Sequence, residues 1–210
     1  MNNQAWLDQV QEEIIDPARE ICDPHHHLWE RNDSTYLLHE MLVDIYTGHK
    51  VISTVFVECA AMFNADLPTE YAPVGETEFV QGIAAMSSSG QYGDCRVAAG
   101  IVSFADLTLG ESVRPVLQAH VNASPNRFKG IRHTAGWHSS DLIKNSHSNP
   151  VEHQFLQDDF QAGFLVLADM NLSFDAWCYH TQIPDFVALA RNNPDVNIIL
   201  DHFAGPIGIG

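Results

Sequence analysis

The feature that most constrains this chain is a recurring order. A short run of apolar, often β-branched residues is followed each time by a longer segment whose apolar residues return with helical period. The runs at 21–23, 51–59, 96–102, 128–133, 172–179 and 196–202 are each bounded by Gly, Pro, Asn or Asp, which predicts six strands. Between them Val113, Val116, Leu117, His120 and Val121 follow the i, i+3, i+4, i+7, i+8 spacing of a helix, with Pro115 tolerated in its first turn. Phe155, Leu156, Phe160, Phe164 and Leu167 repeat the pattern before the fifth run. Phe186, Val187, Leu189 and Ala190 form a shorter helix stopped at Asn193-Pro194, and Phe79, Val80, Ile83, Ala84 and Met86 form another, closed by the Ser-Gly stretch at 87–90. A βαβα order of this kind argues parallel strands joined by helical crossovers.

Two α/β architectures share that order, the open doubly wound sheet and the closed barrel. A dinucleotide-binding open sheet carries a G-x-G-x-x-G turn after its first strand; here the first run ends instead in Pro24-His25-His26-His27. Polar residues also stand at the C-terminal ends of most runs: His25 and His27, Glu58, Arg132 and His133, Tyr179, His202. In a barrel these ends converge on one pocket. The expected fold is therefore a (β/α)₈ TIM barrel truncated after strand six, with residues 1–210 as a single partial barrel domain, since a complete barrel takes about 250 residues. Two apolar sheet edges would be left bare, so the 210-residue chain on its own is expected to be poorly soluble or inactive.

Charge narrows the partners. With 27 acidic and 10 basic residues the formal charge is −17, which disfavours nucleic acid and anionic membrane surfaces. No stretch has the roughly 20 apolar residues of a membrane helix, and the acidic N-terminus lacks a secretory layout. Cys22, Cys59, Cys95 and Cys178 show no C-x-x-C spacing; three of them lie in the apolar runs, so buried free thiols in a reducing cytoplasm are expected. Self-association is left open. With cations this scarce, an Arg inside a pocket is informative, and the expected ligand is a small anionic molecule.

Twelve histidines are many for this length, but position decides their meaning. His120, His147 and His153 sit in polar or helical contexts that suggest surface placement. His25 and His27 are two apart on one strand and so share a face, while His26 points to the helix layer. Two imidazoles a pleat apart can chelate one divalent ion. Asp23, one pleat deeper, could orient a ring nitrogen. Alternation through Ile198, Leu200 and His202 turns His202 inward, as a further ligand or a general acid or base. Arg132 shares a face with Gly130 and suggests bidentate capture of a carboxylate; Glu58, His133 and Tyr179 are the other candidate substrate contacts, with Trp137 and His138 at the rim. There is no G-x-S-x-G elbow, Walker loop or H-E-x-x-H helix.

The segment Asp23-Pro24-His25-His26-His27-Leu28-Trp29 resembles the strand-one signature of the amidohydrolase-related proteins, a branch of the amidohydrolase superfamily. Val55-Phe56-Val57-Glu58-Cys59, Phe128-Lys129-Gly130-Ile131-Arg132-His133 and Leu200-Asp201-His202-Phe203-Ala204-Gly205-Pro206 resemble its later strand motifs, in the same order. The resemblance implies a TIM-barrel hydrolase whose ligands to a divalent ion, zinc or manganese, are His25, His27 and His202; some lactonases of the branch use no metal. His180 follows the fifth run in opposite register to Tyr179 and is not assigned to the metal. The family's strand-eight polar residue has no counterpart before Gly210. The reaction implied is opening of a lactone or cyclic ester of a small carboxylated metabolite, with His202 and Arg132 catalytic. The alternatives are a metal-dependent non-oxidative decarboxylase of the same superfamily and a non-catalytic metal-binding barrel.

Overall fold

The computed structural model describes residues 4–10, 12–31 and 34–208. Strands β1 (Glu20–His26), β2 (Lys50–Val57), β3 (Arg96–Ser103), β4 (Phe128–Arg132), β5 (Ser173–Ala176) and β6 (Ile198–Leu200) form one sheet in chain order. Every neighbouring pair is parallel. Helices α1 (Leu38–Ile45), α2 (Val74–Ser88), α3 (Arg114–Ala123), α4 (Asp158–Asp169) and α5 (Ile183–Asn192) fill the five crossovers. A doubly wound sheet reverses its strand order at a switch point, whereas a barrel winds in one direction, as here.

The curl is visible in side chains from the two ends of the sheet. Strands spaced about 4.8 Å apart would put the first and sixth about 24 Å apart in a flat sheet. Instead the His25 ring on β1 lies 4.7 Å, centroid to centroid, from that of His202 just after β6. The fold is thus a TIM barrel that stops at its sixth strand, with the strands' C-terminal ends gathered around one mouth.

The core lies between sheet and helices, in two clusters. Phe56 and Ile101 pack with Leu38 and Met41 of α1 and Val80 and Ala84 of α2. Ile131 and Phe174 pack with Val116 and Leu117 of α3, Phe160, Phe164 and Leu167 of α4, and Phe155. Phe155, Phe160, Phe164 and Phe174 are fully buried, each contributing about 1.5–3 kcal/mol through apolar burial. Close approach of α4 needs Gly163: a Cβ there would lie 2.1 Å from the Leu107 carbonyl oxygen.

Several elements depart from expectation. Phe155 and Leu156 belong to a separate 3₁₀ turn (Gln154–Leu156), because Gln157 is extended and breaks the helix. Helix α1, which buries Leu38, Met41 and Ile45, and a small antiparallel pair, Trp29–Arg31 with Ser34–Tyr36, were not foreseen. His120 is fully buried rather than on the surface; it stacks on Phe128, and its Nδ1 lies 2.8 Å from Thr77 Oγ1. His153 is exposed and paired with Asp185. All four cysteines are free, Cys95 and Cys178 buried and Cys59 half-buried, but Cys22 is exposed although it lies in β1. Among the described residues no helix is long and apolar enough to cross a membrane.

Candidate active site at the mouth of the barrel

Arg132, the last residue of β4, ties the mouth together. Its register partner on β5 is Asp175, whose own partner on β6 is Ile199; Asp201 lies one pleat beyond Ile199, on the same inner face. The Arg132 Nε donates to Glu58 Oε1 at 2.8 Å and Nη2 donates to the Glu58 carbonyl at 2.5 Å. The remaining nitrogen, Nη1, lies 3.4 Å from His25 Nε2 and 3.5 Å from Asp201 Oδ2. One guanidinium thus links side chains from β1, β2, β4 and the end of β6.

Arg132 can only donate, so this contact presents His25 Nε2 as the acceptor, and Nδ1 lies 3.8 Å from Asp201 Oδ1. Burial, with the Arg132 guanidinium and neighbouring imidazoles adding to it, drives the His25 pKa down to about 3. In His27, Nδ1–H donates to the Val57 carbonyl at 2.7 Å, leaving Nε2 with a lone pair. Burial lowers the pKa of His27 as well, against the pull of that hydrogen bond. Both rings are therefore neutral at pH 7. His26 is buried in the helix layer, with Nε2 2.9 Å from Thr54 Oγ1. Asp23 Oδ1 accepts from the backbone N–H of His25 rather than from a ring nitrogen.

Alternation was expected to carry His202 inward along β6. The strand stops at Leu200, however, and His202 adopts a left-handed backbone (φ 49°, ψ 33°). The inward pleat position falls to Asp201, which is buried, while the turn swings the exposed His202 ring over His25. Donor atoms of His25, Asp201 and His202 all lie within 4.8 Å of one another, and His27 sits edge-on to His25 with centroids 4.9 Å apart. Two imidazoles and a carboxylate in that span are a donor set a divalent ion accepts, and His27 Nε2 is the free nitrogen beside it. The residues present fit such an ion. Of the expected trio His25, His27 and His202, the compact group contains the first and last, with Asp201 as the member the sequence reading missed.

Buried carboxylates crowd this site. Asp175 has one oxygen without a hydrogen-bond partner; burial and the nearby Asp201 push its pKa up to about 7, against Arg132. Burial raises Asp201 too, opposed mainly by Arg132. Behind β2, Glu76 Oε1 accepts from the N–H groups of Cys59 and Ala61 and so shapes the turn that carries Glu58. Burial takes the Glu76 pKa to about 7, its two backbone hydrogen bonds opposing and Glu58 reinforcing the rise.

Beside these groups opens a cavity of about 420 Å³. His27, Arg132 and His202 face it from the strand ends; Trp177, Tyr179 and the loop at 144–147 supply the other lining. Of the expected substrate contacts, Arg132 and Tyr179 line the cavity. Glu58 is fully buried behind Arg132. His133 is misplaced by the sequence reading: next to an inward Arg132, it faces the opposite way. Its ring packs on Phe104 and Phe160, its Nδ1 accepts from Leu107 N–H at 3.1 Å, and burial lowers its pKa to about 4. Trp137 and His138 are not part of the lining, and the exposed His180 accepts from Ile207 N–H outside it. His147 is exposed, as expected, and also lines the cavity, with Nε2 3.6 Å from the otherwise unpartnered Glu58 Oε2.

A parallel barrel with imidazoles, carboxylates and an arginine converging at its C-terminal mouth is the layout of a barrel enzyme's active centre. Residues 22–208 match the amidohydrolase family, and the chain belongs to it. A curated relative, uncharacterized protein y4mH of Sinorhizobium fredii, is 29% identical over 204 residues, covering 87% of this chain and 61% of its own length. An amidohydrolase from Burkholderia multivorans superposes in two solved structures. The one with bound HEPES has a TM-score of 0.59 at 19% identity, covering 86% of this chain and 56% of its own. The one with bound zinc has a TM-score of 0.62 at 18% identity, covering 88% and 58%. At such identity the likeness is one of fold. The chain spans about three fifths of the length of these relatives.

Proposed function

We propose that this chain carries the active centre of a hydrolase that opens a lactone or related cyclic ester of a small carboxylated metabolite. The observation that carries the reading is the meeting of His25, Asp201 and His202 within 4.8 Å, beside a cavity of about 420 Å³. His25, Asp201 and His202, with His27 next to them, are the residues that would hold a divalent ion. Such an ion supplies Lewis acidity toward a carbonyl oxygen.

The chain's own groups account for the rest of the chemistry. Ring opening adds the oxygen of water to the carbonyl carbon, breaks the ring C–O bond and passes one proton from water to the leaving alkoxide. The Asp201 oxygen not given to an ion would take that proton and return it to the alkoxide. Trp177 and Tyr179 wall the cavity on the side of the fifth strand. Arg132 holds Glu58, His25 and Asp201 in mutual register, so that little reorganisation is left for the reacting step.

The test is an assay of a lactone panel, carboxylated and plain, with His25→Ala, Asp201→Asn and His202→Ala beside the wild-type chain. Each substitution should lower kcat/KM at least about a hundredfold. Unchanged kcat/KM in all three removes the assignment. Release of carbon dioxide from aromatic or enoic acids without lactone turnover would select the decarboxylase instead.

A further inference from the structure

Arg132 is the residue a sequence reader would choose to grip a substrate carboxylate, yet its Nε and Nη2 are spent on Glu58 and its Nη1 faces His25 and Asp201. Most other cations are committed as well. Arg19, Lys50 and Arg114 pair with carboxylates, and Arg31, Arg96 and Arg127 bond to carbonyl oxygens or polar side chains. Lys144 lines the cavity together with His27 and His202, and its ammonium has no hydrogen-bond or carboxylate partner among the described residues.

The loop that carries Lys144 is stitched to the cavity wall. Tyr179 Oη donates to the Lys144 carbonyl, Ser146 N–H donates to the Gly136 carbonyl at 2.9 Å, and Ser148 Oγ lies 3.0 Å from Thr134 Oγ1. The neighbouring lining is rich in donors. Asn145 Oδ1 accepts from the N–H of His138 at 2.8 Å, which leaves its amide NH₂ to donate. Thr134 and Ser146 add hydroxyls to the same lining. An exposed ammonium at a cavity rim, in a chain of formal charge −17, attracts an anion where the rest of the surface repels it.

We propose that Lys144 holds the substrate's carboxylate, and that this cavity selects a small organic acid over its neutral counterpart. The choice of substrate class rests on the hydrolase reading above, but the anion-binding role of Lys144 does not. Arg132 becomes a positioning residue and Lys144 the specificity determinant.

The experiment separates the two readings. Binding of glutarate, succinate and tetrahydrofuran-2-carboxylate, with glutaramide as the neutral match, is measured by calorimetry on the whole chain in EDTA, so that no metal can hold the acid. Wild type should prefer the acids. Lys144→Met should weaken acid binding at least about tenfold, as loss of a charge-assisted hydrogen bond requires, and leave glutaramide unchanged. Lys144→Arg should stay within about threefold of wild type. Because Lys144 is exposed, the Met variant should unfold at the wild-type midpoint. Equal acid binding by wild type and Lys144→Met, or no binding of any acid by wild type, overturns the proposal. Lys144-dependent acid binding without lactone turnover leaves the proposal standing and removes the hydrolase reading. Lactone turnover with an unchanged KM in Lys144→Met does the reverse.

Discussion

Replacing Arg132 with Met gives the sharpest test of how the site is held. The guanidinium and the Glu58 carboxylate are 2.8 Å apart, with side-chain exposures of 9% and 0%. At an effective dielectric near 20 such a pair attracts by about 4 kcal/mol. Removing one partner of a buried pair typically destabilises by about 3–5 kcal/mol, because the remaining charge is stranded. Arg132→Met strips Glu58 Oε1 of its donor, and Oε2 already lacks one, so a loss of about 4 kcal/mol is expected, a large share of an ordinary domain's stability. Glu58→Gln should cost less, about 1–2 kcal/mol, because Arg132 keeps Asp201 at 3.5 Å. The double variant no longer strands Glu58, although Asp201 loses its guanidinium, and should lie closer to wild type than Arg132→Met does. Urea unfolding followed by tryptophan fluorescence and circular dichroism, with equal m-values required across the four proteins, yields the coupling energy. If the two single losses add to the double loss within about 0.5 kcal/mol, the sites are independent and the picture of Arg132 as the tie of the mouth is wrong.

Three further outcomes follow from the same coordinates. Burial lifts Glu76 from 4.5 to about 7, so the folded chain binds that proton more tightly than the unfolded one. Its contribution is favourable below about pH 4.5 and is lost as pH rises through 7, by roughly 3 kcal/mol in all. Glu76→Gln keeps the oxygen that accepts from Cys59 and Ala61 and should remove this part of the pH dependence, raising stability at pH 8 relative to pH 5; parallel wild-type and variant curves in urea titrations at the two pH values would refute it. Gly163→Ala pushes a methyl to 2.1 Å from the Leu107 carbonyl oxygen and should destabilise by about 1–3 kcal/mol, read as a lower thermal midpoint. Zinc binding measured by equilibrium dialysis should weaken at least about tenfold in both His25→Ala and Asp201→Asn, whereas His133→Leu, in the core, should leave it unchanged.

Most of the fold was legible because period-2 and period-3.6 patterns report directly on burial. All six strands and four of the five crossover helices fall where the apolar runs and helical spacings put them. Helix α1 was missed although Leu38, Met41 and Ile45 carry the right spacing, because it is short and follows the antiparallel pair without a strong boundary. The site was legible only where the chain stays regular. His25 and His27 are the exception, since the register of β1 shifts between Asp23 and His26, yet their rings still meet edge-on. Simple alternation past Arg132 would have placed His133 in the helix layer, and alternation from Ile199 would have pointed Asp201 inward. His202 could not be read, since a left-handed turn after Leu200 decides its direction. His147 and Lys144 come from a loop with no period at all, and hydrogen bonds of Tyr179, Asn145, Ser146 and Ser148 bring that loop to the cavity.

The electrostatics of the mouth bind these observations together. One guanidinium faces the carboxylates of Glu58 and Asp201, with Asp175 in register beside it, and burial holds His25 and His27 neutral. The cluster therefore carries more negative than positive charge in a poorly solvated space, which folding tolerates only by holding a proton or by gaining a cation. The raised pKa of Asp175 is the first remedy. A divalent ion held by His25, Asp201 and His202, as proposed above, would be the second, offsetting two carboxylate charges without disturbing the Arg132–Glu58 pair. That division of labour also explains why Arg132 is a poor grip for substrate: withdrawn from Glu58, it would strand a fully buried carboxylate. An anion entering the cavity must then be met by a cation that holds nothing else up, and Lys144 is placed to be it.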